Sequence, residues 1–572
     1  MERERTASVR RTGGGALGAR EAAACVLLVA LFVGVRLWRL DASCLWFDEV
    51  FSVHAARHEW GALLQFVALD LVHPPLFYLL LKAWMALVGG EAVWWLRLFP
   101  LTAQTAALVP FLLLGRELRL RFEVVSLALL LLGTSGYLIQ HAQQLRMYSL
   151  LLLFTLCSLW LFARFSDMVE TRPPRPLVAL ALFACNLLLV YTHYFGWLLV
   201  GAEAVFLCVW RREKLKSFAF VCIALVVCFA PWAWLVWRAA SAAGEGLAQN
   251  IGWVARPRLA DVFQPYLLLH EPFRFRRHTY EPVVLRVNAW LAALLFVPPF
   301  VALCLRGLKR RRAGETPPSE VEIEQARVRD GDAHLNSPET SAGGASASTF
   351  LLFFSLLPVV VAFVLSLALP QSIWGLRHLV IIAPAYVLLA SLALVSLRRP
   401  LWLAPALKIL LACWLTLAAI LWLVRRDVPP VWCAWETLAH RVVQTDTNAA
   451  VAADEIKIYA AEDLVAYHLW YALSSTADKR FRVVTIKNLP GLSEDRAFFL
   501  PRGFDEVSSA DASAAAGLRE EHFWLAFRAT SLDASHPLLR LLSERGYDTD
   551  TRFQLSASGQ TAFLISATRR KP

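Results

Sequence analysis

Apolar residues along this chain gather into long unbroken runs, not into the short alternations or narrow stripes of a soluble fold. Each run approaches the roughly 20 residues that one helical crossing of a bilayer takes. The runs fall at 24–40, 97–115, 123–139, 148–165, 177–193, 195–210, 218–237, 287–305, 349–369, 377–397 and 401–423, which predicts about eleven spans. A further stretch, 75–90, is shorter, opens at Pro74-Pro75, carries Lys82 mid-run and ends in Gly89-Gly90. Loop charge decides its fate. If it does not cross, the clusters Arg116/Arg119/Arg121, Arg164/Arg172/Arg175, Arg211/Arg212/Lys214/Lys216, Arg306/Lys309/Arg310/Arg311/Arg312 and Arg398/Arg399 all share the side of the basic N-terminus. If it crosses, every one of them flips outward. The positive-inside rule favours the first arrangement. Residues 75–90 are therefore predicted to lie along the outer interface as an amphipathic helix, with the N-terminus cytoplasmic and the C-terminus outside.

Three segments stand apart from the runs. Residues 41–96 and 239–285 are long outer loops. Residues 307–348, with Thr316-Pro317-Pro318, several glutamates and the run Ser341 to Ser348, read as a disordered cytoplasmic linker. From about residue 425 the pattern turns soluble. Phe481 to Ile486, Ala497 to Leu500, Phe523 to Phe527 and Thr561 to Ile565 read as strands, and 461–473 and 537–545 as helices, the second stopping at Gly546. The predicted fold class is a polytopic α-helical membrane protein, domain 1–424, followed by an extracytoplasmic α/β domain, 425–572.

Composition sharpens this reading. With 58% hydrophobic and 18% charged residues the chain is neither a water-soluble globular enzyme nor a disordered protein. A net charge of +12 would suggest nucleic acid for a soluble chain; here basic cytoplasmic loops against anionic membrane lipid account for it, and no nucleic-acid partner is expected. Eight of the ten cysteines lie inside apolar runs, and only Cys44 and Cys433 sit at loop edges, so no disulfide framework is expected. The first run, preceded by Arg3, Arg5, Arg10, Arg11 and Arg20 and lacking a small-residue cleavage site, reads as a retained span.

Candidate chemistry concentrates in the first outer loop: Trp46-Phe47-Asp48-Glu49, then Asp70, then His73-Pro74-Pro75-Leu76-Phe77-Tyr78. Adjacent carboxylates beside aromatic rings at a membrane interface are partly desolvated, which strengthens a carboxylate as a general base. Asp is also a favoured N-cap, so Asp48 could instead cap a helix starting at Glu49; the two roles are compatible. His54 and His58 have i, i+4 spacing, but two histidines alone make a poor metal site. No glycine-rich phosphate loop follows a strand, which argues against a cytoplasmic nucleotide donor. Glu203, inside a run, is a functional candidate by position, and a helix-to-helix hydrogen bond explains it equally well.

These residues carry a resemblance. The aromatic-Asp-Glu pair after the first span, the His-Pro-Pro-Leu-aromatic-Tyr segment and Arg97-Leu98-Phe99-Pro100 resemble the membrane glycosyltransferases of the GT-C fold. Within them the chain looks like the bacterial family 39 and Rgt-like enzymes, related to protein O-mannosyltransferases and the aminoarabinose transferase of lipid A. Gln143-Gln144-Leu145-Arg146-Met147-Tyr148-Ser149-Leu150 resembles that family's Glu-Ala-Arg-x-Tyr-Ser-Leu, and Arg377-His378-Leu379 with Pro384 its Arg-Tyr-Leu before a proline. The likeness covers residues 24–400; the C-terminal domain agrees in type and position only. Gln144-Leu145 replaces Glu-Ala and His378 replaces tyrosine, so an acid at position 144 has no role here.

The resemblance implies transfer of a sugar from a polyprenyl-phosphate donor to an acceptor hydroxyl on a lipid, glycan or protein at the outer face of the cell membrane, with inversion. Asp48 matches the family's catalytic aspartate, with Glu49 beside it as the second candidate. His73, Tyr78, Arg97, Arg146, Tyr148, His193 and Arg377 are the expected substrate-binding residues. A phosphate leaving group can be stabilised by arginine, so no obligatory metal or cofactor is implied; a divalent ion is compatible with such chemistry but not indicated. The topology draws Asp48, His73, Arg146, His193 and Arg377 to one surface. Arg146 and Arg377 could equally be interfacial anchors, and Arg256, Arg258, Arg274, Arg276 and Arg277 a lipid-attracted loop. The rival class is a polytopic transporter or lipid flippase, which would place its ionisable residues near the bilayer midplane. A third reading makes the C-terminal domain the functional module and the spans its anchor, for which eleven crossings are excessive.

Overall fold

The computed structural model describes residues 18–166, 176–242, 252–273, 282–313, 346–397, 400–424, 430–448, 455–476, 478–492, 498–513, 518–557 and 560–570. Every apolar run is helical. Helix α1 (Ala19–Leu37) is followed by three short helices in the first loop, α2 (Phe47–Arg57), α3 (Trp60–Asp70) and α4 (Leu76–Val88). Then come α5 (Val93–Ala106), α6 (Leu108–Glu117), α7 (Phe122–Thr134), α8 (Gly136–Ala142), α9 (Tyr148–Phe165), α10 (Pro176–Thr192), α11 (Gly196–Trp210) and α12 (Leu215–Ala242). The second loop holds α13 (Gln264–Leu269), and α14 (Pro282–Ala313), α15 (Ala347–Ala368), α16 (Ala383–Val395) and α17 (Leu403–Val424) complete the helical domain. Among the described residues, seven helical stretches are long and apolar enough to cross a membrane. The other apolar runs form shorter or more charged helices; α10 and α11 reach only about 23–26 Å at 1.5 Å per residue.

Helix α4 spans 13 residues, about 20 Å, well short of a bilayer core of about 30 Å. Its buried face, Phe77, Tyr78 and Leu81, packs against α2, α3, α5 and α10 as part of the apolar cluster that continues into the C-terminal domain, and Gly89 at φ +67° ends it. The stretch 307–348 is shorter as a connector than expected, because α14 runs on to Ala313 and α15 begins at Ala347; residues 314–345 lie outside the described residues. The basic positions Arg172, Arg175, Arg274, Arg276, Arg277, Arg398 and Arg399 also lie outside them.

The C-terminal domain opens with α18 (Ala434–Asn448) and carries one six-stranded sheet. Its elements are β1 (Ile456–Ala460), α19 (Asp463–Ser474), β2 (Phe481–Lys487), β3 (Ser508–Asp511), β4 (His522–Ala529), α20 (Pro537–Glu544), β5 (Tyr547–Ala557) and β6 (Gln560–Arg569). The order is β3-β2-β1-β4-β6-β5, with the first four parallel and the β4-β6-β5 edge antiparallel. Gly546, at φ +81°, ends the turn after α20, where a side chain would be strained. Of the strand expected at Ala497 to Leu500, Ala497 lies outside the described residues and 498–500 are irregular: the Leu500 amide donates to the Asp463 carboxylate (3.3 Å) and not to a ladder.

The two domains share one apolar cluster, with Val50, Val53 and Phe66 from the first loop against Leu438, Tyr467 and Trp524. A disulfide joins Cys44 to Cys433 across 389 residues, with Cα atoms 5.4 Å apart. This overturns the sequence expectation. The two cysteines outside the apolar runs belong to loops that the fold brings to one end of the bundle, which sequence separation conceals.

Candidate active site

The site is built around the first turn of α2. Trp46, extended at φ −77°, ψ 160°, precedes the helix, and its amide donates to Glu49 Oε2 (2.8 Å). Asp48 is thus the second residue of the helix and not its cap: the capping carboxylate is Glu49, three residues on from Trp46. Successive helical residues diverge by about 100°, so the two acids point apart. Glu49 is buried, receives Arg97 in two-point fashion (Nε to Oε1 3.1 Å, Nη2 to Oε2 2.9 Å) and accepts the Leu145 amide (2.8 Å). Arg97 also donates to the carbonyls of Leu40, Ser43 and Cys44. Both groups lock the first loop onto α5 and the 143–147 turn, and both also border the site's cavity.

Asp48 faces the other way. Its side chain keeps 25% exposure, and Oδ2 lies 3.3 Å from Arg377 Nη1. Its own carbonyl is gripped by Arg146 Nη1 (3.1 Å) and the Ser52 hydroxyl (2.9 Å), which fixes the backbone that carries the acid. Arg146, buried, donates through Nη2 to His73 Nε2 (3.1 Å) and comes within 3.5 Å of the Tyr78 hydroxyl. Since His73 Nε2 accepts, its proton sits on Nδ1 and is donated to Asp70 Oδ2 (2.7 Å). Burial and the nearby Arg146 hold the His73 pKa below its ordinary value, against the raising pull of Asp70. Arg146 stays charged: burial opposes its proton, and the surrounding Tyr78, Asp48, Tyr148 and Asp70 outweigh that and raise its pKa. Leu71, in the left-handed region at φ +63°, makes the reversal that brings Asp70 and His73 together.

These residues line one large cavity of about 1640 Å³ between the helical bundle and the C-terminal domain. Its wall carries seven arginines (39, 97, 146, 256, 377, 502 and 528) against the four carboxylates Asp48, Glu49, Asp70 and Asp261. Arg97 is paired with Glu49 and Arg528 with Glu462 behind the wall, and the excess that remains suits an anionic ligand. Of the sequence-predicted residues, Asp48, Glu49, His73, Arg97, Arg146, His193 and Arg377 border this space; Tyr78 and Tyr148 stand just behind it, against Arg146 and His193. Sequence reasoning missed Arg502 and Arg528, which the C-terminal domain brings to the cavity, together with Phe498 to Leu500. No motif marks them; the one available clue was that the domain sits on the same side as the Asp48 loop. Arg256 borders the cavity too, within 3.4 Å of the Leu369 carbonyl.

Two other candidates lie elsewhere. Glu203 accepts from Ser158 (2.5 Å) and Asn186 (2.8 Å) inside the bundle and does not border the cavity. His54 and His58 are packed among Phe66, Trp470 and Phe504 at the domain junction, and among the described residues no cluster of three or more His, Cys, Asp or Glu is placed to hold a metal.

No protein-family model matches the sequence, and no curated protein matches it significantly. Solved structures do. ArnT from Cupriavidus metallidurans bound to undecaprenyl phosphate aligns over 95% of this chain and 98% of its own, with a TM-score of 0.52 at 14% identity. The same protein in its apo state aligns over 96% and 98%, with a TM-score of 0.51 at 13% identity. Alignment over nearly the whole of both chains takes in the bundle, the first-loop helices and the C-terminal sheet together, and so this chain is a polytopic membrane protein of the GT-C glycosyltransferase fold.

Proposed function

We propose that this chain is an inverting glycosyltransferase that moves a sugar from a polyprenyl-phosphate donor to an acceptor hydroxyl at the outer face of the cell membrane. The observation that carries the reading is Asp48, rigidly held yet open to a large arginine-lined cavity, with Arg377 at 3.3 Å and Arg146 on its backbone. In the reaction Asp48 takes the acceptor's hydroxyl proton, and the acceptor oxygen attacks the anomeric carbon. The bond from that carbon to the phosphate oxygen breaks on the opposite face, inverting the centre. The polyprenyl phosphate leaves as an anion that Arg377 and Arg146 stabilise with charge-assisted hydrogen bonds. No metal is required for this leaving group. Glu49 acts as a positioning residue through Arg97, and Asp70 sets the His73 tautomer.

Three further observations support it. A cavity of about 1640 Å³ exceeds the 300–1,000 Å³ of ordinary small-molecule sites, as a lipid-linked donor and a second substrate together require. The matching ArnT structure holds undecaprenyl phosphate, a lipid of the proposed donor class. The disulfide ties the Asp48 loop to the C-terminal domain, in keeping with an oxidising outer compartment for both and a cytoplasmic N-terminus.

The test is to supply purified protein with radiolabelled undecaprenyl-phosphate hexose and an extract of native outer-surface glycans and lipids. Label is expected to leave the donor and appear in an acceptor fraction, and to stay on the donor with Asp48→Asn. Transfer of intact lipid between leaflets of a vesicle, with the donor chemically unchanged, would replace this reading with the flippase one.

A further inference from the structure

Next to the arginines, part of the cavity is built from rings. His378 directly follows Arg377, and Tyr148 stands two residues after Arg146. The His378 ring lies 4.5 Å from that of His193, 4.9 Å from Phe195 and 6.2 Å from Tyr148, and His193 lies 6.0 Å from His73. His193 Nε2, both ring nitrogens of His378 and the Tyr148 hydroxyl are buried and have no hydrogen-bond partner among the described residues. Buried polar groups in a folded protein are almost always paired, so several orphans at one spot mark a place that a ligand completes.

Their chemistry says which ligand. His193 Nδ1 accepts the Phe195 amide at 3.1 Å, which places the neutral ring's proton on Nε2 as a donor. Neutral His378 offers one donor and one acceptor, and the Tyr148 hydroxyl offers both as well. A set that mixes donors and acceptors matches sugar hydroxyls, each of which donates and accepts. It does not match a phosphate, whose oxygens only accept and which the donor-only guanidinium groups of Arg377 and Arg146 suit. Among the described residues none of His193, His378 and Tyr148 bonds a carboxylate that could neutralise an ammonium group, and the face of Phe195, on the cavity wall, suits the apolar face of a sugar ring. The two backbone segments that present the arginines also present Tyr148 and His378, and the turn between α10 and α11 adds His193 and Phe195, as the direct linkage of phosphate to sugar demands. Gly375 makes the room: a Cβ there would collide with the His378 ring.

We propose that His193 and His378, backed by Tyr148, form the glycosyl subsite, that it takes a sugar without an ammonium group, and that His378 with His193 sets this specificity; the proposal rests on the glycosyltransferase reading above.

The experiment measures binding to the purified full chain in nanodiscs of three probes: undecaprenyl phosphate, undecaprenyl-phosphate hexose, and undecaprenyl phosphate bearing an amino-pentose. Wild-type protein is expected to bind the hexosyl lipid at least about tenfold tighter than the bare lipid, as one or two added hydrogen bonds give, and the amino-sugar lipid no tighter than the bare one. His193→Phe and His378→Phe should each weaken the hexosyl lipid by about tenfold and leave the bare lipid within about twofold. Gly375→Ala, which displaces the His378 ring without removing it, should follow His378→Phe. Equal weakening of both lipids, an unaffected hexosyl lipid, or tightest binding of the amino-sugar lipid overturns the subsite. Wild-type protein that turns over the hexosyl donor yet binds it no better than bare lipid overturns the subsite alone; wild-type protein that binds none of the three overturns the glycosyltransferase reading.

Discussion

Asp48 and Glu49 are neighbours of the same chemical type, and the fold gives them opposite fates. Glu49, its side chain 2% exposed, is surrounded by donors: two from Arg97, one from the Leu145 amide and one from Trp46. Asp48, 25% exposed, meets the half-exposed Arg377 at the cavity wall. A carboxylate enclosed by that many donors has its lone pairs committed and holds structure. One that keeps a side open to solvent and cavity can still take a proton. The comparison teaches that rigidity and reactivity are divided between adjacent residues: the sealed acid fixes the helix that aims the open one.

The largest effect should come from the open acid. Asp48→Asn keeps size and leaves the helix cap untouched, since that cap is made by Glu49. Loss of a general base typically lowers rate by about 10²- to 10⁴-fold, so donor turnover should fall by at least about 100-fold in a folded protein. Near-normal turnover would move the base to Asp70. The sealed acid should behave differently. Glu49→Gln leaves Arg97 buried without its counter-charge, which costs about 3–5 kcal/mol, read as a lower unfolding temperature and poor recovery of folded protein. The double variant Glu49→Gln/Arg97→Gln should recover part of that loss. A Glu49→Gln protein as stable as wild type but inactive would make both acids catalytic and break the comparison.

Much of this site was legible because its signals are local. The apolar runs are contiguous, and so are the segments carrying Asp48, His73, Arg146 and Arg377. What was hidden depended on distant partners. Two adjacent acids look alike in sequence; that one meets Arg97, 48 residues on, follows from which side of α2 faces α5. The same holds for Cys44 and Cys433. In the C-terminal domain the strands β2, β4 and β6 announce themselves by apolar residues, whereas β3 and β5 stand at the two edges of the sheet. Edge strands carry polar residues to discourage further pairing, so Ser508–Asp511 and much of Tyr547–Ala557 gave no apolar signal.

A smaller effect tests what the open acid faces. In Arg377→Lys the charge beside Asp48 is kept and the planar fork is lost. Lysine can still pair with a carboxylate, but it meets phosphate as a point charge. Donor binding should weaken by about 10- to 100-fold, as loss of a charged hydrogen bond gives, while the unfolding temperature stays near that of wild type. Unchanged donor kinetics would return Arg377 to the role of interfacial anchor and leave Arg146 as the phosphate's partner.

The smallest effect probes the sealed side at its far end. His54, later on α2, meets the Tyr467 hydroxyl at 2.9 Å and packs against Phe66, Trp470 and Phe504 of the domain junction. Burial, reinforced by His58 and Arg57, lowers its pKa from 6.5 to about 3. In the unfolded chain the ring takes a proton near its ordinary value; in the folded protein it does so only at about 3. The unfolded state therefore binds more protons between these values, and stability rises with pH across that window. The contribution is complete above 6.5 and is lost as pH falls toward 3. At pH 5.5, about one unit below the ordinary value, His54 alone should remove about 1 kcal/mol. Burial lowers the pKa of His73 and of His468 in the same direction, so the wild-type melting shift between pH 7.5 and 5.5 sums several rings. The informative quantity is the difference between wild type and His54→Phe, which keeps a ring in the aromatic junction and cannot take a proton. The variant should melt lower at pH 7.5, for want of the Tyr467 hydrogen bond, and lose less on going to pH 5.5. An identical pH shift in both proteins would mean that water reaches His54, and that the sealing of α2 extends no further than Glu49.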